Sequence, residues 1–155
     1  LIANDDIIKI TDFGSSKLMT LEEQTMSKGI GTQKYMAPEI INEEDNYTEK
    51  IDVYSFGVVV YFILSGGEFP KIKIGEILKG KKAPLPENFT DFAKKMIYDC
   101  WNFDSNGRPS FKEIVDQMES NHYNLMKLTK SEVKNIELFV ENHKTKIPPN
   151  SNFIK

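Results

Sequence analysis

The spacing of apolar residues changes along the chain, and each change marks an element. At the start, Leu1-Ile2-Ala3 and Ile7-Ile8-Lys9-Ile10 flank the turn formers Asn4-Asp5-Asp6. This pattern predicts a strand, a turn and a strand. From Gly14 to Gly31 the apolar residues scatter among Ser, Thr, Gly and Lys. That stretch reads as a long loop, and such loops in a compact domain are usually functional or disordered. Pro38 predicts a helix start that runs into Ile40-Ile41, followed by an acidic loop from Asn42 to Asn46. The apolar run Phe56 to Leu64 lies inside a segment, Lys50 to Ser65, that stops at Gly66-Gly67. Its length favours a helix over a strand despite three consecutive valines, and the glycines supply the stop. Apolar residues all round predict a helix buried on every side.

The later segments are amphipathic. Pro70, Pro84 and Pro86 bracket a short piece, Ile72 to Leu78. Thr90 is placed to cap a helix whose Phe92, Ala93, Met96, Ile97, Cys100 and Trp101 recur on one face. Ser110-Phe111-Lys112-Glu113 is a capping box, followed by Phe111, Ile114, Val115 and Met118 at helical spacing. Thr129 and Glu132 repeat that pattern before a weaker helix carrying Val133, Ile136 and Val140, and Pro148-Pro149-Asn150 ends regular structure.

Composition narrows the function classes. The chain of 155 residues is long enough for one domain with a core, and its net charge of −3 gives no broad attraction for nucleic acid. A membrane-spanning helix needs roughly 20 apolar residues, more than the Phe56 to Leu64 run supplies. The single cysteine, Cys100, excludes an internal disulfide, and no secretory signal is visible. Both fit a cytoplasmic, reducing compartment. His122 and His143 have no metal-ligand company in the sequence and read as surface residues. Leu1 opens the chain inside an apolar stretch, which leads to the expectation that further residues precede it.

The chemistry centres on Asp12-Phe13-Gly14, directly after a predicted strand. A carboxylate there, followed by glycine, can approach a phosphate-bound cation closely, and Mg²⁺ takes one or two carboxylates among hard oxygen ligands. Alone, the tripeptide reads as a turn aspartate. Ala37-Pro38-Glu39 lies downstream across the long loop, and the two motifs in this order resemble the eukaryotic protein kinases. The resemblance continues in order. Gly31-Thr32-Gln33-Lys34-Tyr35-Met36-Ala37-Pro38-Glu39 looks like the substrate-docking segment, and Asp52-Val53-Tyr54-Ser55-Phe56-Gly57 like the start of the central helix. Cys100-Trp101 and Arg108-Pro109-Ser110-Phe111 look like the late helices. Gly31-Thr32 resembles Ser/Thr-specific members. The Trp101 and Arg108-Pro109-Ser110-Phe111 pattern is shared with tyrosine kinases, so together they suggest the tyrosine-kinase-like group.

The resemblance implies a mainly α fold: a kinase-like C-terminal lobe with a short β-hairpin, a long activation loop and a helical bundle, taken from an α+β parent domain. It covers residues 1–120, and 121–155 is left as a C-terminal helix and a tail or linker. It also implies roles. Asp12 would bind the Mg²⁺ that bridges the ATP phosphates, Phe13 would set active and inactive states, and Gly14 would permit the hinge between them. Thr32 and Tyr35 would contact the protein substrate, although Thr32 also suits a loop threonine bonded to its own backbone. Thr25 and Ser27 are candidate phosphosites, with Ser15, Ser16 and Thr20 as competitors, and all of them equally suit solvated loop hydroxyls. Glu39 and Arg108 would pair as architecture. Asp52 would brace the catalytic loop, or act as a helix N-cap.

The departures bear on activity. The Gly-rich loop, the ATP-anchoring lysine and its glutamate partner are absent from the sequence, as are the catalytic-loop aspartate and asparagine. The expected function is therefore a protein serine/threonine kinase represented by a C-terminal lobe. The lobe is expected to be inactive without its N-terminal lobe in cis and to expose an unpaired apolar patch. A pseudokinase-type scaffold module is the alternative, and an unrelated helical interaction domain is a third reading. Beyond residue 120, six lysines outnumber three glutamates. That tail suits a docking helix, a linker, or a solvated helix with a disordered end.

Overall fold

The computed structural model describes residues 33–44, 47–127 and 129–144. The expected hairpin and the long loop lie outside the described residues. Within them the helices in chain order are α1 (Pro38–Ile41), α2 (Lys50–Leu64), α3 (Ile74–Ile77), α4 (Asp91–Cys100), α5 (Phe111–Ser120) and α6 (Lys130–Lys144). Short 3-10 turns at Gln33–Tyr35 and Ser105–Gly107 precede α1 and α5. Among the described residues the β pairing is a single antiparallel bridge, Phe89 to Met126. The lobe is mainly helical, as the apolar spacing predicts.

Local chemistry sets the helix ends. Thr90 accepts the Ala93 N–H at 3.1 Å and caps α4. At α5, Glu113 N–H donates to the Ser110 hydroxyl at 3.2 Å while Ser110 N–H donates to the Glu113 carboxylate at 2.7 Å, closing both arms of the box. Thr129 and Glu132 make the same exchange ahead of α6. Past α2, Gly66 and Gly67 take φ of 78° and 97°. Their N–H groups return to Ile63 and Phe62, a Schellman closure that relies on glycine's freedom at positive φ.

The core lies between α2 and α4. Val53, Tyr54, Val58, Val60 and Tyr61 are buried on one side, and Ala93, Met96, Ile97, Cys100 and Trp101 on the other. Gly57 permits the close approach. A Cβ there would stand 2.7 Å from Cys100 Cβ and 2.9 Å from Trp101 Nε1. Tyr61 joins the layers, its ring centroid 5.8 Å from that of Phe89 and 5.7 Å from that of Trp101. Residues just past α5 return to the start of α4. Thr90 donates its hydroxyl to Asn124 O at 2.7 Å and its N–H to Leu125 O at 3.4 Å.

The expectation that the central helix is buried on every side is corrected. Val59 is 39% exposed and Ile63 67%. With exposed Asp52 and half-buried Phe56 they form one stripe at helical spacing. Periodicity reports which residues are apolar, but not which faces find a neighbour. The predicted apolar face of α5 divides in the same way: Ile114 is buried, whereas Phe111 is 45% and Val115 51% exposed. Phe56 and Phe111 meet edge-on at 5.6 Å, joining the two stripes into one apolar surface. On α6, Leu138 and Phe139 are also exposed.

Candidate functional site

Asp12, Phe13, Gly14, Thr25, Ser27 and Thr32 lie outside the described residues, as do Ser15, Ser16 and Thr20. Tyr35, Glu39, Asp52 and Arg108 lie within them. The structure brings Tyr35, Glu39 and Arg108 into one platform around the start of α2.

The platform begins with the segment before α1. Ala37 takes an extended conformation at the N-cap, and Pro38 follows at the first helical position, where its missing N–H leaves no intrahelical bond unmade. Ala37, Pro38 and Glu39 are buried. Upstream, Tyr35 O accepts the Ser55 hydroxyl at 2.8 Å, which ties the segment to α2. The Tyr35 ring stands edge-on to Phe69 at 5.2 Å. Lys34 places its ammonium 4.4 Å from the centroid of that same Phe69 ring.

Arg108 holds the platform from below. Its side chain is 0% exposed and that of Glu39 9%. Nη1 donates to Glu39 Oε1 at 2.6 Å and Nη2 to Oε2 at 2.8 Å. This is the two-point match between a planar guanidinium and a carboxylate. Nη1 also donates to Lys50 O at 2.9 Å, and Nε to Asn102 O at 2.8 Å. The guanidinium carbon lies 5.1 Å from the Tyr54 ring centroid. Lys50 Nζ completes the exchange by donating to Arg108 O at 2.8 Å. The buried charge therefore has partners at each nitrogen, the condition under which such burial is tolerated. Burial pushes the Tyr54 hydroxyl up to about 12, with the Arg108 charge opposing that rise and Glu39 adding to it. The arrangement clamps the Ala37–Glu39 segment to the loop before α5. It holds backbone in place and transfers nothing itself.

Asp52 has a different setting. The N-cap position of α2 belongs to Glu49, which makes no side-chain cap bond, and Asp52 sits within the first turn. The N-cap alternative for Asp52 is thus corrected. The helix begins at Lys50, where the sequence reading places it, and the Lys50 N–H donates to the Thr48 hydroxyl at 3.4 Å. Partial burial, and then the charge of Glu49, raise the Asp52 carboxyl above its ordinary range. Its carboxylate accepts no hydrogen bond among the described residues, and it heads the exposed stripe of α2.

Among the described residues no group of three His, Cys, Asp or Glu side chains is placed to hold a metal ion, and no helix is long and apolar enough to cross a membrane. His122 is paired with Glu137 at 3.2 Å on the surface. Sequence reasoning missed the Ser55–Tyr35 bond and the carbonyl partners of Arg108. Each joins positions brought together only by the fold, and neither carries a local signal.

Comparison with known proteins adds to this geometry. A profile of the family described as protein tyrosine and serine/threonine kinase matches residues 1–118. The chain is 37% identical over 129 residues to the dual specificity protein kinase shkE of Dictyostelium discoideum, covering 76% of this chain and 18% of that protein. It is 38% identical over 122 residues to mitogen-activated protein kinase kinase kinase 12 of Rattus norvegicus, covering 74% and 13%. It is 30% identical over 126 residues to serine/threonine-protein kinase STY46 of Arabidopsis thaliana, covering 77% and 21%. The chain spans about a fifth or less of the length of these relatives.

Proposed function

The chain belongs to the protein tyrosine and serine/threonine kinase family, and from that premise we propose that it supplies the substrate-docking and metal-binding half of a protein serine/threonine kinase. The reaction is transfer of the ATP γ-phosphoryl group to a protein hydroxyl. The observation that carries this reading is the family match across residues 1–118, which spans Asp12-Phe13-Gly14, Ala37-Pro38-Glu39 and Arg108.

Phosphoryl transfer proceeds mainly by positioning and charge stabilisation. Mg²⁺, when bound, neutralises charge on the phosphates, and Asp12 is the residue of this chain that would hold it. Phe13 and Gly14 would set and hinge that carboxylate. Thr32 and Tyr35 would meet the substrate, with Tyr35 anchored by Ser55 and the following segment clamped by Glu39 and Arg108. Phosphorylation at Thr25 or Ser27 would order the loop between Gly14 and Gly31 through new charge-assisted bonds. Asp52 and the apolar stripe below it would receive the rest of the kinase domain, catalytic loop included. Gly31-Thr32, the Trp101 and Arg108-Pro109-Ser110-Phe111 pattern, and relatives named as serine/threonine or dual specificity kinases support a place in the tyrosine-kinase-like group. An intracellular setting accompanies that assignment.

The test is a chimera in which the N-terminal lobe and catalytic loop of the kinase kinase kinase 12 relative precede these 155 residues. Radiolabelled phosphate should reach serine and threonine peptides in preference to tyrosine peptides, and Asp12→Asn should abolish it. A folded, nucleotide-binding chimera that labels tyrosine alone, or that ignores Asp12→Asn, would refute the assignment.

A further inference from the structure

A cavity of about 310 Å³ opens between α2, α3 and the turn that follows α4. This is the lower end of the size range of small-molecule sites, about 300–1,000 Å³. Its walls are apolar: Tyr54 and Val58 from α2, Ile77 from α3, and Trp101 beyond α4. Two more lining residues, Ile74 and Phe103, are 39% and 46% exposed and give the cavity an apolar lip.

The lining is also positively charged. Lys34, Lys81 and Lys82 are its charged members. They belong to a local excess in which Lys71, Lys73, Lys79, Lys81 and Lys82 face a single acid, Glu76, within residues 71–82. The chain as a whole carries a net charge of −3, so this concentration is local. Lys82 is committed to the fold: its ammonium donates to Tyr98 O at 2.6 Å and lies 5.5 Å from the Tyr98 ring centroid. Lys34 makes a ring contact with Phe69. Lys81 meets Glu76 at 3.4 Å with both side chains well exposed, a pair of little strength that a better anion can displace.

We propose that this cavity binds an amphipathic carboxylate of the long-chain acyl type. The apolar body lies against Val58, Ile77 and Trp101, and the carboxylate lies at Lys34 and Lys81. The concavity of the site favours a single free acyl chain over a lipid surface, because a bilayer takes up protruding apolar side chains and these walls are recessed. Lys34 and Pro38 of the lining belong to the segment proposed above to dock the protein substrate, so the site adjoins that segment, but acyl binding does not require phosphoryl transfer.

The test is a titration of the full chain with anilinonaphthalene sulfonate, an amphipathic fluorescent anion, followed by displacement with dodecanoate below its micellar concentration. One saturable site is expected, with dodecanoate displacing the probe. Lys34→Glu combined with Lys81→Glu should weaken both ligands at least about tenfold while leaving the melting temperature unchanged. Ile77→Trp, which fills the cavity, should remove binding. Val59→Ser with Ile63→Ser, on the separate apolar stripe, should leave it intact. The proposal is overturned if dodecanoate fails to displace the probe or if the lysine variant binds like the parent. It is equally overturned if the stripe variant abolishes binding, or if the chain binds phosphatidylglycerol vesicles but not the free acid.

Discussion

Arg108 and Ile63 each depart from what a folded chain ordinarily does with its side chains, in opposite directions. Arg108 is a charge withdrawn from water, 0% exposed, yet its nitrogens reach Glu39, Lys50 O and Asn102 O within 3 Å. Ile63 is apolar and 67% exposed, and it continues a stripe through Val59 and Phe56 to the neighbouring Phe111. The difference separates two kinds of contact. The lobe completes its charge network from its own loops and helices. Among the described residues, its apolar surface on α2 and α5 has no comparable cover.

Perturbing the charge network should have the largest effect. Arg108→Ala leaves a buried carboxylate without its partner, and chemical denaturation should show a loss of about 3–5 kcal/mol. An unchanged midpoint would remove the clamp from the account. Arg108→Met with Glu39→Leu should lose less than Arg108→Ala alone, because no unpaired charge is left behind. Next is Gly57→Ala, which presses a methyl against Cys100 and Trp101 across the α2–α4 contact. Overpacking of this kind costs about 1–3 kcal/mol, and calorimetry would read it. Ser110→Ala removes both hydroxyl bonds of the α5 cap and should cost about 1 kcal/mol.

The apolar side of the comparison predicts a small effect on stability and a different readout. Val59→Ser with Ile63→Ser should change stability by no more than about 0.5 kcal/mol per site. The exposed stripe predicts self-association of the parent in sedimentation velocity, which the variant should reduce. A large loss of stability would mean that the stripe is covered within the lobe. Smallest is the effect of Asp52→Asn. The Asp52 carboxyl is raised in the folded chain, so its ionised form opposes folding above the folded pKa, and that opposition vanishes below the unfolded value. The variant should be slightly more stable than the parent at neutral pH, and the gap should close as pH falls through the carboxylate range. A gap that widens on acidification would contradict the assigned cause.

What the sequence makes legible follows from how local each feature is. The caps at Thr90, Ser110 and Thr129, and the stop at Gly66-Gly67, are written within a few residues, and the structure has them there. The apolar face of α4 is legible for the same reason. The Glu39–Arg108 pair spans 69 positions, and only the resemblance to a family suggests it. The Ser55–Tyr35 bond and the lysine-lined cavity have no signature along the chain, because the fold alone makes them neighbours. Val59 and Ile63 show the limit of composition: an apolar run announces a helix that wants cover, but not which of its faces finds it. Asp12, Phe13, Gly14, Thr25, Ser27 and Thr32 lie outside the described residues, so their roles rest on motif and family.

The most direct test of the account is phosphate incorporation from radiolabelled ATP and Mg²⁺, measured side by side for the 155 residues alone and for the chimera that completes the kinase domain. No incorporation is expected from the former, and Asp12-dependent incorporation is expected from the latter. Incorporation by the 155 residues alone that is lost in Asp12→Asn would contradict that expectation.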